Sequence, residues 1–169
     1  GWAGRIADEL ATTTGTQRLP VGTSFFGTLS FQIGAGAVPY VLGTGGASTY
    51  FVLSDPQAGF RIERRAMFES LLGAPTSNPI RRVLADVHRR ALATAHPVNA
   101  PRATTPPRAT AITARLLGDQ LRATARLIGA RGALAMRRQV FLVAMGGFDT
   151  HDDQNRLQPQ LLGELSAGL

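Results

Sequence analysis

Cysteine is absent from the 169 residues, which excludes both a disulfide framework and a thiolate-ligated metal. Lysine is absent too, so all 18 basic side chains are arginine. Total exclusion of one basic residue points to codon composition rather than to a physical requirement, and the formal net charge of +7 is weak evidence for an acidic partner. Aromatic residues make up only 7% of the chain and mostly sit in apolar runs. The basic surface interleaved with aromatics that single-stranded nucleic acid favours is therefore missing, and no nucleic-acid partner is expected. No apolar stretch approaches the roughly 18 to 20 residues of a membrane span, and no basic-then-apolar signal opens the chain.

What is present is a globular balance, with 44% hydrophobic residues and a mean hydropathy near zero. Trp2, Ile6 and Leu10 recur at helical spacing, and Gly15 follows where a left-handed cap would end a helix over residues 2–13. From Ser24 to Ile33 the period changes to two, with Phe25, Leu29, Phe31 and Ile33 on one face, which predicts a half-buried strand. A glycine-rich stretch with a brief Val38–Leu42 segment, followed by Thr49–Leu53, predicts a small antiparallel excursion. Ser54-Asp55-Pro56 marks a turn. A helix is expected over Ile62–Leu72, stopped by Gly73 and Pro75, and another begins at an Asn78 cap with Pro79 in its first position. Its apolar stripe is Ile80, Val83, Leu84, Val87 and Ala91, opposite a basic face.

Residues 96–110 hold four prolines and read as a loop. A helix over about Ala111–Ala130 would bury Leu117, Leu121, Ala125 and Ile128, with Arg115, Asp119 and Arg122 on the other side. A strand follows over Val140–Met145, and Leu157, Leu161, Leu162, Leu165 and Leu169 define a last helix. A parallel strand needs neighbours on both sides, so residues 1–169 are expected to be an incomplete central portion of one larger α/β domain.

The chemistry concentrates where that strand stops. Gly146 and Gly147 let the backbone turn, and Asp149 and His151 follow two positions apart, at the carboxyl end where ligands gather in α/β sheets. With cysteine excluded, a carboxylate and a neutral imidazole are the donors left for a divalent ion, and they suit zinc, manganese or iron. Asp152, Asp153 and Gln154 are candidates for orienting the first two. The plainer alternative is that Asp149 caps the next turn and His151 is an exposed loop residue. His88 and His96 have no acidic neighbour at ligand spacing. Gly43-Thr-Gly-Gly-Ala-Ser48 lacks the third glycine and the following helix of a dinucleotide loop. Ser24, Ser48 and Ser54 lack a nucleophile elbow. No catalytic residue is identifiable.

Gly1-Trp-Ala-Gly-Arg-Ile-Ala-Asp8, Gln120-Leu-Arg-Ala-Thr-Ala-Arg-Leu-Ile and Arg138-Gln-Val-Phe-Leu-Val-Ala-Met-Gly-Gly-Phe-Asp-Thr-His-Asp-Asp-Gln154 resemble the bacterial domain-of-unknown-function 1501 family, in order and over nearly the whole chain. Residues 96–110 match least. That family is similar to the alkaline phosphatase and sulfatase clan, so the resemblance implies a partial three-layer α/β/α fold. It further implies a divalent ion, zinc or manganese, held by Asp149 and His151 with ligands from elsewhere, a small anionic ester substrate, and export to the periplasm or beyond. The family's Gly-Gly-Asn-Asp segment and its later Asp-His portion are missing, so the 169 residues alone are expected to be inactive. A noncatalytic exported binding or structural protein of the same fold is the alternative.

Overall fold

The computed structural model describes residues 1–15, 17, 19–54, 59–104 and 116–168. Helix α1 (Trp2–Thr14) leads into β1 (Gly22–Ser24), a 3-10 turn (Ser30–Gln32) and β2 (Tyr40–Val41). Then come α2 (Phe51–Ser54), α3 (Arg61–Gly73), α4 (Pro79–Thr104), α5 (Leu116–Gly129), β3 (Val140–Leu142) and α6 (Gln154–Gly168). The strands form one parallel sheet in the order β2-β1-β3, with Thr23 opposite both Tyr40 and Phe141. The chain is therefore mixed α/β, and the stretch expected to make an antiparallel excursion supplies the parallel strand β2 and a single antiparallel bridge between Gly43 and Gly46.

The central strand is the least apolar of the three. Gly22, Thr23 and Ser24 are all buried, because small side chains let the flanking layers approach closely. Ser24 ends β1 itself: its hydroxyl donates to the carbonyl of Gly27 at 2.5 Å and accepts the Phe26 amide, a side-chain turn that competes with the ladder. This is why the expected strand over 24–33 stops at its first residue and becomes a bend followed by the 3-10 turn. Thr49–Leu53 also departs from expectation, since α2 occupies most of it.

The expected loop over 96–110 is likewise shorter: α4 runs through Pro97 and Pro101 to Thr104, and 105–110 lie outside the described residues. So do Asp55, Pro56, the 111–115 start of the expected penultimate helix, and Leu169. Asn78 caps α4 as the sequence predicts, its Oδ1 accepting the amides of Ile80 and Arg81.

The core gathers Phe25 and Leu42 from the strand ends, Ala95 and Val98 from α4, Ala123 and Leu127 from α5, and Leu134 and Met136 from the approach to β3. Helices turn small residues inward. In α1 the buried positions are Ala3, Gly4, Ala7 and Thr14, while Trp2 is exposed and packs its ring on Phe31. A Cβ on Gly4 would lie 2.2 Å from the backbone of Ile33 and Gly34, so only glycine lets α1 seat on this loop. In α5 the buried side is Leu117, Gln120, Ala123 and Leu127, and Ile128 faces outward. The predicted α4 stripe of Ile80, Val83, Leu84 and Val87 is exposed, and Ala85, Ala95 and Val98 are buried instead.

Candidate functional site

Parallel pairing sets the direction in which β3 delivers its carboxyl end. Val140 donates to the carbonyl of Val21, and the carbonyl of Leu142 accepts from Phe25, so the even-numbered residues of β3 face β1. Ala144 is next in that row, but β1 has already turned away. Gln120 of α5, 2% exposed, fills the vacant place. Its Nε2 donates to the carbonyl of Ala144 and its Oε1 accepts the Ala144 amide, both at 2.9 Å. A side-chain amide thus acts as one more peptide of the neighbouring strand and pairs with Ala144, two residues past the end of β3. Asn99 of α4 does the same for the loop after β2, accepting from the amide of Ala47 at 3.0 Å and donating to its carbonyl at 2.9 Å.

Past this clamp Gly147 takes φ 94°, a conformation open chiefly to glycine, and the chain reverses. The Thr150 amide donates back to the Phe148 carbonyl at 3.0 Å, closing a three-residue turn with Asp149 at its centre. The turn brings Asp149 and His151 to the same side, with Oδ2 and Nε2 3.4 Å apart. Both side chains are almost fully open to solvent, at 90% and 88% exposure.

The spacing is compatible with one shared ion. A separation of 3.4 Å is longer than a well-formed N–H···O bond of about 2.7–3.2 Å. Four ligands about 2.0–2.1 Å from a tetrahedral zinc lie about 3.3–3.4 Å apart. Neighbouring ligands around an octahedral ion at about 2.1 Å lie only about 3.0 Å apart. Both side chains are almost wholly open to solvent, so either arrangement is within their reach and the pair suits zinc or manganese. Among the described residues no group of three or more His, Asp or Glu side chains surrounds one point, so further ligands would have to come from outside them.

The other expected contributors lie apart from the pair. Asp153 adopts φ 54°, accepts from the Arg156 guanidinium through its carboxylate, and caps α6 through its carbonyl. Gln154 is the first, exposed residue of α6, and Asp152 is exposed beside it. His88 pairs through Nδ1 with the Tyr50 hydroxyl, and Phe68 packs edge-on against its ring. Sequence reading overlooked Gln120 and Asn99. Gln120 was legible in principle, because it lies three and seven residues from Leu117 and Leu127 and so belongs to the buried stripe.

One carboxylate is held more firmly than the candidate pair. Asp8 of α1 accepts the amides of Ala35, Gly36 and Ala37 at 2.7, 3.0 and 2.7 Å. The hydrogen bond from Ala35, then those from Ala37 and Gly36, hold its carboxyl below the usual carboxylate range. The role is structural: Asp8 ties α1 to the loop before β2. Among the described residues no helix is long and apolar enough to cross a membrane. No family model, curated protein or solved structure matches this chain.

Proposed function

We propose that Asp149 and His151 are two ligands of a divalent metal, zinc or manganese, in a composite site of a phosphatase- or sulfatase-like hydrolase of alkaline-phosphatase-like architecture. The observation that carries the reading is their 3.4 Å separation at the carboxyl end of a strand in a parallel sheet. When bound, such an ion polarises an ester oxygen and stabilises charge developing during displacement at phosphorus or sulfur. This chain supplies the carboxylate and the imidazole, and its Gly147 turn and Gln120 clamp place them. A small anionic ester is the substrate class, and export to the periplasm or beyond accompanies the proposal on the sequence resemblance alone.

Zinc titration followed through the His151 ring resonances tests the pair. The ring signals shift with zinc, and Asp149→Ala weakens that response. An unmoved His151 ring, or the same response in Asp149→Ala, refutes the ligand assignment. Bound zinc without hydrolysis of p-nitrophenyl phosphate or sulfate by the protein instead supports a noncatalytic binding protein of the same fold.

A further inference from the structure

A second site goes beyond the metal reading and uses other residues. Between α3, α4 and the loop after β2 lies a cleft of about 480 Å³. Its apolar floor includes Leu92 and the buried Ala95, and its walls carry Arg61, Arg65, His96 and Thr49. We propose that this cleft binds a small organic oxyanion, a phosphate monoester or a carboxylate on an apolar body, with the anion on Arg61 and Arg65 and the body over Leu92 and Ala95.

The charges are arranged for a ligand rather than for the helix. Arg61 and Arg65 are one turn apart, so two like charges share one face of α3. Arg61 is also the first residue of α3, where a cation opposes the helix dipole, and the helix has no side-chain cap. Among the described residues only Arg65 is offset, through its Nε bond to Glu69 at 2.9 Å. Glu63, the acidic residue of the first turn, is not part of the lining. Among the described residues Arg61, His96 and Thr49 have no side-chain partner. Tyr50 and Asn99, which also border the cleft, are already engaged with His88 and Ala47. An oxyanion would accept charge-assisted hydrogen bonds from two planar forks. The apolar floor adds a preference that a bare ion cannot satisfy.

NMR titration of the 169-residue chain with phenyl phosphate, benzoate, phenol and inorganic phosphate tests this. Phenyl phosphate or benzoate is expected to perturb the amides of α3 and of α4 around Leu92–His96, and to bind more tightly than phenol or phosphate. The tighter of the two identifies the head group. Arg61→Ala/Arg65→Ala should weaken binding by roughly tenfold or more, and Glu69→Gln, which frees Arg65, should strengthen it. Asp149→Ala/His151→Ala should leave it unchanged, which separates this site from the metal pair. The proposal is overturned if phenol binds as tightly as phenyl phosphate, if inorganic phosphate does, if the double arginine variant binds normally, or if loss of Asp149 and His151 abolishes binding.

Discussion

Replacing Gln120 by Met tests the clamp that carries the strand end. The two side chains have nearly the same volume, so packing is preserved while both hydrogen bonds to Ala144 disappear. Stranding a buried backbone donor or acceptor costs about 1–3 kcal/mol each. Ala144 is half-buried, so water partly replaces the lost partners and the lower part of that range applies. Two groups then give roughly 2–3 kcal/mol, a large share of the typical domain stability of about 5–15 kcal/mol. Urea unfolding of both proteins gives the difference, and amide exchange locates it. Exchange should accelerate at Ala144 while Leu42, donating to Ser24, keeps its native protection relative to global unfolding. A destabilisation below about 0.5 kcal/mol with unchanged Ala144 protection would mean that the carboxamide does not substitute for a strand.

Thr23 is fully buried in the central strand, and its hydroxyl has no hydrogen-bond partner, so Thr23→Val should raise stability by about 1 kcal/mol in the same urea assay. Gly4→Ala places a methyl against the backbone of Ile33 and Gly34 and should cost about 3 kcal/mol, with chemical-shift changes confined to α1 and residues 30–37. Asp8→Asn should lower the melting temperature at neutral pH. Because the folded Asp8 titrates below its unfolded value, its contribution is complete above that value, near about pH 4. It fades as pH falls through the folded value, so the wild-type and Asp8→Asn melting temperatures should converge in acid. A gap that persists unchanged at pH 2 would contradict this.

Helix positions were legible where caps and breakers act locally. Asn78-Pro79 starts α4, Gly73 ends α3, and the Gly146-Gly147 turn follows β3 where the sequence places it. Buried faces were harder, because the usual reading ranks large apolar residues first. This chain seats its helices through Ala3, Gly4, Ala7, Ala85 and Ala123 and leaves Trp2, Ile80, Val83 and Ile128 outside. The central strand was missed for a related reason: Gly22-Thr23-Ser24 has no apolar signature, and only its two neighbours make it a strand. The Thr49–Leu53 segment has β-prone residues that tertiary packing against α3 turns into a helix. Asp149 and His151 stand out in the sequence because a two-residue spacing just after a glycine pair is a local property, and the structure places their side chains 3.4 Å apart. Gln120 was missed because polarity argued it out of the core.

The last rung of β3 is made by α5 rather than by another strand, so the bearing of the Asp149–His151 turn is mechanically coupled to that helix. A rotation of α5 would act first on Ala144, through the two hydrogen bonds of Gln120. The amide of Leu117 donates to the carboxylate of Glu164 in α6 at 3.2 Å, which extends the linkage to the following helix. Because α6 begins at Gln154, three residues past His151, a shift of that helix would also reach the turn directly along the chain.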